Sequence, residues 1–301
     1  MTTVNDVEEA FDNIDGDHGN EQQYGTNDDF KYTESESKHI QGVQRLQISF
    51  IEEGNWYVFS ASDNESAKLA FVNNETFQVE KVEHLDNERI HAGGIDSYEN
   101  ILAVPCEGDD DSRIYLLDIT CPTESTELCR IDRPDEKASA AGITRMSNDH
   151  FLVAVIIQAE YLMQFYQSTT TDIRDGFDAG IGKKLSDKSH NKYENIDLIT
   201  QTDGTIFLVG THSTTQSGGT DWADLFTIDV NFNTPPTVNT VKIDYKSHKH
   251  YHCPGSSTFE GGAGIYIVDN NNLNMYAVRR WTNNQIGEDP RIKMTAFTQN
   301  E

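Results

Sequence analysis

The stretch that decides the fold is Ile90–Glu107, IHAGGIDSYENILAVPCE. His91 opens a small-residue run, Ala92, Gly93 and Gly94. A polar turn follows at Tyr98, Glu99 and Asn100. Then comes an apolar run, Ile101 to Val104, that ends on Glu107. Turn residues bounding β-branched and apolar runs are strand and hairpin signals. The stretch therefore reads as a strand, a tight turn and a buried strand.

Outward from it, the same outline recurs. The first unit reads HIQGVQRLQISF (39–50), NWYVFSAS (55–62), AKLAFVN (67–73) and FQVEKVEHL (77–85). The second continues from HAGGIDSY (91–98) through ILAVPCE (101–107) and SRIYLLDI (112–119) to TELCRIDR (126–133). The third holds SAAGITRM (139–146), FLVAVIIQ (151–158) and YLMQFYQ (161–167), then loses clarity in a polar, Gly-broken excursion. The fourth is ENIDLITQ (194–201), TIFLVGTH (205–212), ADLFTIDV (223–230) and TVNTVKIDY (237–245). The fifth is HCPGSSTF (252–259), GIYIVDN (264–270), LNMYAVRR (273–280) and RIKMTAF (291–297). Second segments centre on Tyr57, Leu102, Leu152, Phe207 and Tyr266, separated by 45, 50, 55 and 59 residues. Four strands in such a period match one propeller blade. The second segments are almost continuously apolar, as strands buried on both faces are. The expectation is an all-β, five-bladed β-propeller of four-stranded antiparallel blades over 39–301, with six blades as the alternative should the N-terminal arm add strands. Arg291–Phe297 supplies a fourth strand in this reading, so closure by a borrowed N-terminal strand is not required.

The repeat resembles the β-propeller superfamily over about residues 39–297. HAGGID…ILAVP and AGITRM…FLVAV carry most of the resemblance. The Gly-His and Trp-Asp signatures of WD40 repeats are absent, and the paired-glycine strand motif of kelch repeats appears only as Gly93-Gly94 and Gly261-Gly262, the third glycine pair, Gly218-Gly219, falling in a polar loop stretch. Propellers include glycosidases, lactonases, lectins, metal-dependent oxygenases and interaction scaffolds, so the resemblance implies a fold and leaves the function open.

Bulk composition narrows the partners. The 301 residues carry a formal charge of −27, from 50 acids and 23 bases. Such a field repels phosphate backbones and anionic lipid, so neither nucleic acid nor membrane is an expected partner. No apolar run approaches the ~20 residues of a spanning helix. MTTVNDVEEAFDNIDGD has no apolar signal core, which makes the cytoplasm the expected compartment, with non-classical export the alternative. Cys106, Cys121, Cys129 and Cys253 lack CxxC spacing and read as free thiols. Residues 1–38 hold eleven acids and two lysines; they read as an acidic, largely irregular arm. Asp15-Gly16-Asp17 fails the EF-hand spacing, because Phe11 and Gln22 would occupy the first and last loop positions.

Stacking the unit starts on the small-residue run aligns His39, His91, Ser139, Glu194 and His252 at one mouth of the central channel. His39, His91 and His252 share H-x-x-G. Small residues behind them let five backbones approach closely. The ends of the second strands add Asp63, Glu107, Gln158, His212 and Asp269, placing Glu107 beside His91 and Asp269 beside His252. Three readings stay open. The histidines plug the channel structurally. Or His39, His91 and His252 hold a divalent ion, zinc, iron or copper in preference to calcium. Or the mouth is a pocket for a sugar or other polar molecule, with Glu107 and Glu194 as an acid–base pair and Ser139, His212, Trp222 and Asp269 as ligand contacts. His248, His250 and His252 alternate and would share one strand face. The leading expectation is a small-molecule binding protein or enzyme using the channel mouth, a glycan among its candidate ligands. The alternative is a non-enzymatic scaffold or lectin-like propeller. Oligomeric state is not written in these features.

Overall fold

A computed structural model describes residues 3–33, 38–46, 56–157, 162–184, 192–213, 220–232, 240–282 and 289–299. The chain begins with β1 (Thr3–Val4), a helix α1 (Val7–Asp12) and β2 (Asn20–Gly25). The first unit is β3 (His39–Leu46), β4 (Trp56–Ser62), β5 (Ala67–Asn73) and β6 (Gln78–Asp86). In the second, β7 (His91–Ala92) and β8 (Asp96–Tyr98) share the innermost place, followed by β9 (Ile101–Glu107), β10 (Ser112–Asp118) and β11 (Thr126–Arg133). The third is β12 (Ala140–Arg145), β13 (Phe151–Ile157), β14 (Leu162–Gln167) and β15 (Ile181–Lys184). The fourth is β16 (Asn195–Gln201), β17 (Ile206–Ser213), β18 (Asp221–Asn231) and β19 (Thr240–Tyr251). The last is β20 (Thr258–Ile267), β21 (Leu273–Val278) and β22 (Arg291–Phe297). Consecutive strands within each unit pair antiparallel. The protein is an all-β propeller.

Its hydrophobic core is divided among the gaps between neighbouring units. Successive side chains of a strand point to opposite faces, so a second strand feeds two cores at once. On β9, Leu102, Val104 and Cys106 pack toward the first unit, while Ile101 and Ala103 pack toward the third. Units three and four share Leu152, Phe165, Leu208 and Phe226. Units four and five share Phe207, Leu225, Phe259 and Met275. Units five and one share Tyr57, Phe59, Tyr276 and Met294, which closes the ring. In the apolar GIYIV run, Ile265 is buried and Ile267 only half-buried, because Ile267 ends its strand.

The N-terminal segment departs from the expected irregular arm. β2 pairs antiparallel with β22 from Asn20↔Ala296 to Gly25↔Arg291 and so becomes the outer strand of the last unit. It also touches β6 at Gly25↔Gln78, and β1 pairs in parallel with β16. Asp6 caps α1 by accepting the Glu9 N–H at 3.0 Å. Val4, Val7, Ala10, Phe11 and Ile14 recur at helical spacing and are fully buried between units four and five. The abundant acids lie on the outer face, where composition outweighs that narrow apolar stripe. Ring closure therefore does borrow an N-terminal strand, and the arm forms no sixth group among the described residues.

The last unit is also shifted relative to expectation. HCPGSS connects β19 to β20, the GIYI of GIYIVDN ends the innermost strand, and the LNMYAV of LNMYAVRR is the second strand. In the third unit the excursion contains β15, paired with β14 from Leu162↔Lys184 to Phe165↔Ile181. Gln158 and residues 214–219, between β17 and β18, lie outside the described residues.

Candidate functional site

The innermost strands meet at a ring of small residues. A Cβ on Gly93 would stand 2.0 Å from the Ser139 carbonyl oxygen, and one on Gly94 2.5 Å from Asn195 Oδ1. Gly262, at φ +128°, would bring a Cβ to 2.8 Å from Gly42 N. Gly94 bridges to Ala140, Gly142 packs on β16, and Asn195 reaches the Phe259 carbonyl. All five innermost strands thus touch around the axis.

His39 and His91 meet there. His39 is 8% exposed, and the two rings lie edge to face with centroids 6.0 Å apart. Arg280, just beyond β21, donates from Nη2 to His39 Nε2 at 3.1 Å and from Nη1 to Glu260 Oε1 at 2.6 Å. A guanidinium can only donate, so His39 Nε2 is an unprotonated acceptor. The Gln41 side-chain amide also touches that nitrogen. His91 Nδ1 lies 3.0 Å from Ser62 Oγ. Burial holds His91 below the usual imidazole range; Glu107 pulls the other way, while Arg280 and Lys137 add to the lowering. Its imidazole is therefore neutral near pH 7.

Glu107 pairs with His91 across β7 and β9, as the antiparallel offset predicts. Its Oε2 accepts the Ala138 N–H at 3.1 Å, and Oε1 lies 3.5 Å from Lys137 Nζ. Ser139 is half-buried, and its carbonyl accepts the Gly94 N–H at 3.0 Å. Glu194 is half-buried at the corresponding place in the fourth unit, its N–H donating to the Thr211 carbonyl. Asp63, at the end of β4, is buried and paired with Lys38 at 3.2 Å and Lys68 at 2.9 Å.

Other expected members go elsewhere. His252 follows the outer strand β19; its side chain is 73% exposed and pairs with Asp17 at 2.8 Å. It begins a connection between units, so the three-histidine set does not form. Glu260 and Arg280 occupy the fifth unit's side of the mouth instead. Asp269 lies in the β20–β21 turn, at the far end of β20 from Glu260. There the Asn271 N–H and Asn272 amide hold its carboxyl below the ordinary range. It neighbours Asn272, not His252, because the true second strand starts after it. His212 is buried and stacks parallel to Trp222 at 6.3 Å. Trp222 also meets His248 and His250, so this aromatic group belongs to the outer strands of unit four. Among the described residues no group of three or more His, Cys, Asp or Glu side chains could hold a metal ion.

Below the small-residue ring lies a feature that the sequence reading missed. Asp96 and Asp197, 3% and 1% exposed, face a cavity of about 30 Å³ lined also by Arg45, Tyr98, Ile265 and Tyr266. Gln44 Nε2 donates to Asp96 Oδ1 at 3.0 Å and to Asp197 Oδ1 at 3.1 Å. Burial pushes Asp96 up to about 7 against four donors, and burial with the Asp96 charge pushes Asp197 well up. The available signal was the Ile-Asp dipeptide at Ile95-Asp96 and Ile196-Asp197: a carboxylate inside an apolar innermost strand.

No protein-family model matches the sequence, and no curated protein is significantly similar to it. Solved structures do match. A Parabacteroides distasonis protein assigned to the glycoside hydrolases is similar at a TM-score of 0.52 and 12% identity, over 88% of each chain. An α-L-arabinofuranosidase from Lactobacillus brevis gives 0.47 at 13% identity, over 85% of this chain and 91% of its own. A thermostable family-43 glycoside hydrolase gives 0.46 at 10% identity, over 92% and 93%. At such identities the likeness is one of fold alone; the propeller class rests on the strand pairing and shared cores of this chain.

Proposed function

We propose that this propeller binds a small polyhydroxylated ligand, a carbohydrate in class, at the His39–His91 mouth of its axis. The observation that carries the reading is the convergence there of two imidazoles 6.0 Å apart, flanked by Arg280 and Glu260 of the fifth unit and Glu107 of the second. Neutral imidazoles, carboxylates and a guanidinium supply the mixed donors and acceptors that hydroxyl groups require. The small-residue ring forms a floor beneath them. The glycoside hydrolase assignment of the similar Parabacteroides protein is consistent with this ligand class. Both Glu107 oxygens are engaged, by Ala138 N–H and Lys137, which suits accepting a ligand hydroxyl better than acting as a free proton donor.

The test is a saccharide panel titrated by calorimetry against the wild-type chain, H91A, R280A and W222A. The expected result is a loss of about tenfold or more in affinity, ~1.4 kcal/mol, for H91A and R280A, with W222A unchanged. A ligand that survives both mouth substitutions and is lost in W222A would move the site to the aromatic group of unit four.

A further inference from the structure

Two carboxylates tie the five innermost strands together. Asp96, on β8, accepts Gln44 from β3 and its neighbour's N–H at Ser97 through Oδ1. Its Oδ2 accepts the Ile143 N–H of β12 at 2.8 Å and the Leu198 N–H of β16 at 3.0 Å. Asp197, on β16, accepts Gln44 and the Ile265 N–H of β20 through Oδ1, at 3.1 and 3.0 Å. Every unit contributes a group to this network.

Its charge state follows from the donors. One amide nitrogen serves both carboxylates, so two full negative charges there would stand close together and away from water. Such a pair gives up its second proton far less readily than its first. Three of the four carboxylate oxygens already receive two N–H donors each. A proton on any of them would meet another donor. Asp197 Oδ2 is buried and has no hydrogen-bond partner, and Asp197 is among the residues that line the cavity. We propose that the Asp96–Asp197 pair carries one proton, held on Asp197 Oδ2, and that losing it loosens the ring of innermost strands, making the axis a pH-sensitive lock.

The other charged or titratable groups lining the cavity are Arg45 of β3, Tyr98 of β8, Glu99 in the following turn and Tyr266 of β20. The Arg45 guanidinium lies over the Tyr266 ring at 4.4 Å. β12 presents only the Ile143 N–H to the pair. The folded chain keeps a proton that unfolded aspartates release above about pH 4. The stabilisation is thus fully present below that pH, falls as pH rises and is lost once the folded pair gives up the proton.

Thermal unfolding of the wild-type chain, D197N and D96N, followed from about pH 5 to about pH 8, tests the lock. Asn at 197 keeps the Oδ1 acceptor and puts its NH2 where the unpartnered Oδ2 stands. Asn at 96 must point its NH2 at two existing donors. The expected result is that D197N removes the fall in Tm seen in the wild type and exceeds it by about 2–4 °C at the alkaline end. D96N should unfold at lower temperature throughout. Carbon-13 carboxyl NMR of the aspartate-labelled wild-type chain gives a second readout that needs no variant: one aspartate should remain protonated near neutrality. Parallel wild-type and D197N curves, equal tolerance of Asn at both positions, or full ionisation of every aspartate below about pH 5 would each overturn the proposal.

Discussion

Replacing Phe11 by alanine tests whether the N-terminal segment is an integral part of the ring. Phe11 lies on α1 with no exposed surface, packed among Val4, Val7, Tyr251, Phe259 and Phe297. Its removal deletes a whole ring from a gap whose other walls belong to units four and five. Those walls are paired strands that cannot close on the space, so the cavity term adds to the lost transfer term. Phe→Ala at such a site costs about 3–5 kcal/mol, against total stabilities of about 5–15 kcal/mol for ordinary domains. Urea unfolding followed by tryptophan fluorescence gives the measurement, with Val268→Ala, 43% exposed in a turn, as a control expected within ~0.5 kcal/mol. Deleting residues 1–26 is the stronger form of the same test. It strips β2 from β22 and exposes a strand edge that invites pairing with another chain, so the truncated protein should self-associate. A cost below about 1 kcal/mol for F11A, at the bottom of the range for buried deletions, would refute the docked arm and the ring closure built on it.

Lys68→Ala should cost about 1.5–3 kcal/mol in the same assay, because it removes one charged donor from the buried Asp63 and leaves Lys38 as its remaining ion-pair partner. Burial alone would raise Asp63, but the two lysines hold it below the ordinary value. Its contribution is therefore present above about pH 4 and lost as pH falls through the lowered folded value; K68A should flatten that acid limb. Gly93→Ala, with its Cβ at 2.0 Å from a backbone oxygen, should cost about 3 kcal/mol or more. Gly182→Ala, whose nearest contact is a side-chain methyl at 3.4 Å, should be neutral by the same urea measurement. His91 is held below its unfolded value, so the stability it contributes is present above about pH 6.5 and lost as pH falls from there. His91→Gln should remove that slope, which a pH series of unfolding curves reads directly.

The propeller was legible because its second strands are apolar on both faces. WYVF, ILAV, FLVAV and IFLV each lie in a strand of the expected register. A strand that feeds two interfaces leaves a signal that no single-faced element produces. The N-terminal segment was illegible for the opposite reason. Its apolar residues form one narrow stripe, and β2, NEQQYG, buries only Tyr24. Such a strand is held by the ladder it completes on β22 and by its neighbours, and a ladder leaves no trace in composition.

The mouth was half legible, and the error is instructive. His39 and His91 do meet, because the glycines behind them, Gly42 and Gly94, are forced by backbone contact across the axis. In the last unit the alignment followed the histidine of HCPG instead of the glycines. Gly255 there lies beyond β19, at φ +71°, where it makes a turn. The run that meets the axis is Gly261 and Gly262, and the residue before it is Glu260. Physical necessity belongs to the small residues, since any Cβ collides with the neighbouring backbone. The polar residue ahead of them has no such constraint and varies from histidine to serine to glutamate. A repeat aligned on its sterically compelled positions would have brought Glu260, and with it Arg280, into the site.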